Sequence, residues 1–166
     1  MFVFDESVFL HDFLAGTSSG AFLFVSVMPN PTVLIVEDNP DYQELLKIGY
    51  ERSQAAFQFE VCSSAEQAQQ YLQQPIYRPL LILLDYDLPG INGLELLTEL
   101  KESPRYHHVP VLMFSMFTSE ELKNQAYERG VNAYLSKPED LSEMLHFWSS
   151  LTMFWSRGAQ IPTVND

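Results

Sequence analysis

Seven positions in this sequence have the types and spacing to do chemistry together or to serve it. Glu37 and Asp38 follow the apolar run "TVLIV", Asp85 and Asp87 follow "LILL", Ser115 closes "VPVLMF", and Tyr134 and Lys137 lie in "AYLSKP". A carboxylate at the end of a buried strand is costly unless something pairs with it. Several carboxylates in one cleft repel each other enough to raise at least one pKa. The cluster therefore calls for a cation. None of its members is His or Cys, and oxygen-only donors favour Mg²⁺, which keeps several waters and takes carboxylate, carbonyl and phosphate oxygens. Lys137 adds a fixed positive charge and Ser115 a hydroxyl donor. Carboxylate, divalent metal, ammonium and hydroxyl around one point are what phosphoryl transfer needs: a nucleophile, charge neutralisation and donors to the equatorial oxygens.

The elements that must position these groups alternate along the chain. "TVLIVE" is a short buried strand, and "NPDYQELLKIGYERS" is a helix with Pro40 near its start and Tyr42, Leu45, Leu46 and Gly49 at helical spacing. "FQFEVC" alternates as a strand, and Ser64 is placed to cap the helix "SAEQAQQYLQQ". "LLILLD" is the third strand, followed by a third helix with Leu94, Leu97 and Leu100 on one face and Leu96 beside it. "VPVLMFS" precedes a fourth helix capped by Thr118 or Ser119 and stopped by Gly130. "NAYLS" is the fifth strand and "PEDLSEMLHFWSSL" the fifth helix. Five strand–helix units with short connections predict an α/β fold, a parallel sheet with helices on both faces. Ligands of such sheets bind beyond the carboxyl ends of the strands, where the strand order switches. Glu37, Asp38, Asp85, Ser115 and Lys137 all fall at such ends.

Composition narrows the partners. At 166 residues, with 46% hydrophobic and 13% aromatic content, the chain is expected to form one domain with appendages. The net charge of −13 disfavours direct binding to nucleic acid or an anionic membrane surface. A single cysteine, Cys62, excludes an internal disulfide and a thiolate metal cluster, and fits a reducing, cytoplasmic setting as a small core residue. Residues 1–28 hold no Lys or Arg, so they lack the basic start of a secretory signal, and "AFLFVSVM" is too short to span a bilayer. Residues 1–27 are read as an extension upstream of a functional start at Met28, with an added strand or a docking arm as the alternative, the main domain over 29–155 and a tail over 156–166.

The acidic pair in "VLIVEDNP", the block "LLDYDLPGINGLELL", and "VPVLMFS" and "AYLSKP" together resemble the receiver domains of two-component response regulators, of the chemotaxis-regulator kind. Order and spacing match, with 47 residues from Asp38 to Asp85, 30 on to Ser115 and 22 on to Lys137. The resemblance covers roughly residues 31 to 155 and implies a flavodoxin-like (βα)5 fold with strand order 2-1-3-4-5. It further implies that Asp85 accepts a phosphoryl group from a histidine kinase or a histidine phosphotransfer protein. Asp38 would bind Mg²⁺ directly, Glu37 through water and Asp87 through its backbone carbonyl. Lys137 and Ser115 would hold phosphoryl oxygens, and Tyr134 would be the aromatic switch. The fourth helix, fifth strand and fifth helix would form the readout face for a downstream protein or a homodimer. Such a domain is a signalling module rather than an enzyme. Two positions depart from the family pattern: Met116 stands where a small residue is usual and is expected to crowd the site, and the acidic Asp87 is expected to alter phosphoryl lifetime.

Two other functions compete. "DYD" after an apolar strand also resembles the nucleophile motif of haloacid dehalogenase-type phosphatases, but there the motif follows the first strand and the acidic pair comes late. A phosphorylation-independent binding module is the third reading, against which stands the presence of every required group. Glu37 and Asp38 have an alternative reading as caps of the first helix. His107 and His108, before the fourth strand, are expected to face solvent. The fifth helix carries Phe147, Trp148, Phe154 and Trp155, too many rings for one buried stripe, so some should stay exposed.

Overall fold

The computed structural model describes residues 31–157 except 54, 56, 75–77, 117 and 118. The expected extension over 1–27, the tail beyond 157 and the cap option Thr118 lie outside the described residues. Five strands alternate with five helices: β1 Thr32–Val36, α1 Pro40–Ser53, β2 Gln58–Cys62, α2 Ala65–Leu72, β3 Leu81–Asp85, α3 Gly93–Glu102, β4 Val111–Ser115, α4 Glu120–Glu128, β5 Ala133–Ser136 and α5 Leu141–Arg157. All strand pairs are parallel, in the order β2-β1-β3-β4-β5, the flavodoxin-like arrangement expected.

The continuous apolar runs of β1, β3 and β4 are explained by burial on both faces. Strand periodicity divides the core in two. Leu34, Val36, Ile82, Leu84, Val111 and Met113 pack towards α2, α3 and α4, whereas Val33, Ile35, Leu81, Leu83, Leu112 and Phe114 pack towards α1 and α5. On that second face Trp148 is fully buried, its Nε1 donating to the Leu46 carbonyl at 3.0 Å, with Tyr50, Phe57, Phe59 and Phe147 around its ring. Gly49 makes room for this packing, since a Cβ there would stand 2.3 Å from Met144 Cγ.

The structure differs from the sequence expectation at some helix ends and caps and at one histidine. Asn39, not Glu37 or Asp38, caps α1: its Oδ1 accepts the backbone N–H of Asp41 and Tyr42. Ser119 caps α4. α5 continues past Leu151 to Arg157, which carries Phe154 out to 61% exposure while Trp148 stays inside. His107 is exposed as expected, but His108 is half-buried, and burial together with His107, Arg78 and Lys101 lowers its pKa.

Candidate functional site

Parallel strands put all their carboxyl ends at one edge, and alternation selects which side chains meet there. Glu37 and Asp85 continue the Val33/Ile35 and Leu81/Leu83 series, so both point to the α1–α5 side; Lys137 follows Ala133 and Leu135 on that same side. Ser115 continues the Val111/Met113 series and approaches from the opposite side. These residues, with Asp38, Asn39, Asp87 and Met116, line one cavity of about 250 Å³. A larger groove between α2 and α3, lined by Leu72, Leu96 and Tyr106 among others, lies away from these strand ends.

Glu37, Asp85 and Lys137 are only 1%, 5% and 8% exposed. The Lys137 ammonium stands between the two acids, 2.9 Å from Asp85 Oδ2 and 2.5 Å from Glu37 Oε2. The Lys137 ammonium is thus the partner of this buried Glu37 oxygen. Burial pushes the Glu37 pKa above the usual carboxylate range, and the neighbouring Asp85 adds to the rise; Lys137 and the Asn39 N–H partly offset it. Glu37 Oε1 accepts that N–H at 3.2 Å, and its carbonyl accepts from Gln43 Nε2 at 2.5 Å. Asp85 Oδ1 accepts the Asp87 N–H at 3.3 Å, which turns the chain at the end of β3.

One oxygen each from Glu37, Asp38 and Asp85 lies within 4.8 Å of the others. Three converging carboxylates, with one ammonium to offset their charge, make an all-oxygen donor set that fits a hard divalent cation. The Asp87 side chain is exposed at the mouth of the cavity, as is Met116 at 56%. Tyr134 lies outside the cavity lining. It is half-buried on β5 opposite Met113, on the same sheet face as Ser115 and one alternation away from the Ser115–Ser136 pair. Sequence reasoning assigned Tyr42 to the core face of α1, yet its ring lies against the Lys137 ammonium, with the nitrogen 4.7 Å from the ring centre. Its place in the first turn after the acidic pair was the available signal.

The loop after β3 is held close to the site. Gly90 has φ +77°, and Asn92 and Glu95 form a reciprocal capping box at the start of α3. Gly93 follows at the tightest point, its N–H donating to the Tyr86 carbonyl; a Cβ there would lie 2.2 Å from the Asp85 carbonyl oxygen. Because that neighbour is backbone, Gly93→Ala is expected to cost about 3 kcal/mol, the upper end for volume added to a packed core. Urea denaturation measures this, and a loss under 1 kcal/mol would show that the junction yields.

Sheet order and site together define an α/β signalling domain with its acidic cleft at the carboxyl edge of β1, β3, β4 and β5. The chain belongs to the response regulator receiver domain family, whose model matches residues 33–148. It is 29% identical over 139 residues to response regulator Rcp1 of Synechocystis, spanning 81% of this chain and 95% of that relative. Among solved structures it resembles the phosphorylated cyanobacterial phytochrome response regulator RcpA, with TM-score 0.73 and 29% identity over 81% of this chain and 99% of RcpA. The Mn²⁺-bound form of Rcp1 gives TM-score 0.71 and 28% identity over 81% of this chain and all of that one. The chain is thus a receiver domain of two-component signalling, a family that takes phosphoryl groups from histidine kinases and binds a divalent metal at its acidic pocket. Neither the sheet order nor the family match favours the phosphatase reading.

Proposed function

We propose that this protein is a cytoplasmic phosphoacceptor that receives a phosphoryl group on Asp85 from a sensor histidine kinase or a histidine phosphotransfer protein. The observation that carries this reading is the buried Asp85 carboxylate held 2.9 Å from the Lys137 ammonium inside an acidic cavity. An oxygen of Asp85 attacks phosphorus, the P–N bond of the phosphohistidine breaks, the imidazole leaves with that electron pair, and an acyl phosphate remains. Lys137 pairs with one phosphoryl oxygen and Ser115 donates to another. Glu37, Asp38, Asp85 and the Asp87 carbonyl would hold Mg²⁺, which when bound neutralises phosphoryl charge.

The downstream reading rests on the same geometry. Ser115 moving towards a phosphoryl oxygen would free space along the sheet face that it shares with Tyr134, letting the ring turn inward and shifting a pre-existing equilibrium. The readout face would be α4, β5 and α5, contacted by a protein target or a second copy. No helix among the described residues is long and apolar enough to cross a membrane, in keeping with the proposed cytoplasmic setting.

The test is incubation with acetyl phosphate and Mg²⁺, then with phosphorylated kinases, those partnered with phytochromes first because of the likeness to RcpA. The expected product is one alkali-labile acyl phosphate per chain, and a stable phosphoester, or steady turnover of an unrelated phosphomonoester, would sink the proposal. Metal binding alone has its own readout. At a Mg²⁺ concentration ten times Kd the native state gains about 1.4 kcal/mol, roughly 4 °C in Tm for a domain of this size. Asp38→Ala should remove the shift, and an unchanged shift in that variant would place the ion elsewhere.

A further inference from the structure

We propose that Tyr42 is a positioning residue for Lys137: its ring face holds the Lys137 ammonium between Glu37 and Asp85, and its hydroxyl anchors the segment that carries the lysine. The inference rests on the roles given above to Asp85 and Lys137. A lysine side chain is a flexible stem ending in a compact charge, so something must select one of its many rotamers. Two acids alone attract it without saying from which side. The Tyr42 ring supplies the missing wall, 4.7 Å from the nitrogen and within the range at which an aromatic face attracts a cation.

Tyr42 is itself fixed at three points. Its N–H donates to the Asn39 cap, which ties the ring to the β1–α1 junction and hence to Glu37 and Asp38. Its hydroxyl donates to the Pro138 carbonyl at 3.2 Å, one residue beyond Lys137. Its ring meets Phe114 edge-on at 5.9 Å, and Phe114 is the register partner of Asp85 and the neighbour of Ser115. One residue therefore touches the segments that bear the acidic pair, through its backbone, and the lysine and the serine, through its side chain. Burial above all, with the charges of Glu37, Asp85 and Glu143, raises the Tyr42 pKa far beyond the physiological range, so the hydroxyl stays a neutral donor.

The experiment compares the full chain with Tyr42→Phe, Tyr42→Leu and Phe147→Leu. Phe147 stacks on Phe114 at 4.9 Å and is absent from the cavity lining, so its truncation thins the same packing without removing a wall of the cavity. With acetyl phosphate and Mg²⁺, Tyr42→Leu should label about tenfold more slowly, Tyr42→Phe, which keeps the ring but loses the bond to the Pro138 carbonyl, about threefold more slowly, and Phe147→Leu within about twofold of wild type; a Tyr42→Phe loss as large as that of Tyr42→Leu overturns the role of the ring. A Tyr42→Leu rate equal to wild type, or an equal loss in Phe147→Leu, overturns the inference while leaving Asp85 as acceptor. In the unphosphorylated protein the Lys137 side-chain proton resonances should carry the shielding of the ring in wild type and Tyr42→Phe and lose it in Tyr42→Leu. Unchanged resonances in Tyr42→Leu overturn it even if Asp85 takes no label at all.

Discussion

Asp85→Asn is expected to reduce labelling by acetyl phosphate to background, a loss of roughly 10³-fold or more, because an amide oxygen offers no anionic nucleophile at neutral pH. The substitution keeps shape and volume, so the fold of the β3 end should survive. Oδ1 already accepts the Asp87 N–H, and an amide oxygen in that place can do the same. What changes is charge. Lys137 loses one of its two acidic partners, 2.9 Å away, and keeps Glu37. Two other carboxylates line the cavity near its mouth, Asp38 and Asp87, and each is a chemically competent acceptor if the phosphodonor can reach it. Their variants therefore belong in the same measurement. Asp87→Asn should still label on Asp85, because its side chain lies at the rim and its proposed contribution is a carbonyl. Asp38→Asn should label slowly and become less sensitive to Mg²⁺. Residual labelling of Asp85→Asn at anything near the wild-type rate would move the acceptor to one of these acids. A wild-type protein that takes no label while still binding a partner would instead support the phosphorylation-independent module.

Most of the frame was legible in the sequence for identifiable reasons. Four apolar residues ahead of Asp85, bounded by turn residues, predict a strand covered on both sides, and short connections between alternating strands and helices leave a parallel sheet with right-handed crossovers. Once the strands are parallel, residues at their carboxyl ends must come together. Glu37, Asp38, Asp85, Ser115 and Lys137 accordingly share one cavity despite lying up to a hundred positions apart. The strand order itself followed from the resemblance, since alternation alone does not say which strand lies beside which.

What sequence missed depended on tertiary contact or on local competition. Tyr42 fits the apolar stripe of α1 and packs on Phe114 as that stripe requires, so nothing in the periodicity marks its other face as the wall beside Lys137. Asn39 took the cap of α1 because it directly precedes Pro40, leaving both acids before it free to face the cavity. Which of the four rings of α5 turn inward is likewise a tertiary matter: Trp148 is buried and Trp155 returns to partial burial against the second core cluster, whereas Phe154 stays exposed.

Lys137→Met should destabilise the protein by about 3 kcal/mol at pH 7 in the absence of Mg²⁺, and slow labelling sharply. Methionine preserves much of the lysine stem, so packing changes little, but Glu37 and Asp85 are left buried beside each other with no compensating charge. Breaking a buried ion pair from one side typically costs about 3–5 kcal/mol for that reason. The pH dependence gives the cause away. The Glu37 pKa is already raised by burial, and Lys137 is the neighbour that most opposes the rise, so removing it raises the pKa further. For an acid whose folded pKa exceeds its unfolded value, stability is fully present below the unfolded pKa and is lost as pH rises through the folded one. The deficit of Lys137→Met should therefore shrink as pH falls from 7 towards 4.5, the ordinary value for Glu37, as the native state takes up a proton in place of the ammonium. Urea denaturation of both proteins at pH 7 and pH 5 measures it, with the difference at pH 5 expected to be at most half that at pH 7. Mg²⁺ should narrow the gap at pH 7 by supplying the lost positive charge. A deficit equal at both pH values and indifferent to Mg²⁺ would assign the loss to packing of the lysine stem, and would remove the charge balance from which the proposed chemistry of this cavity is argued.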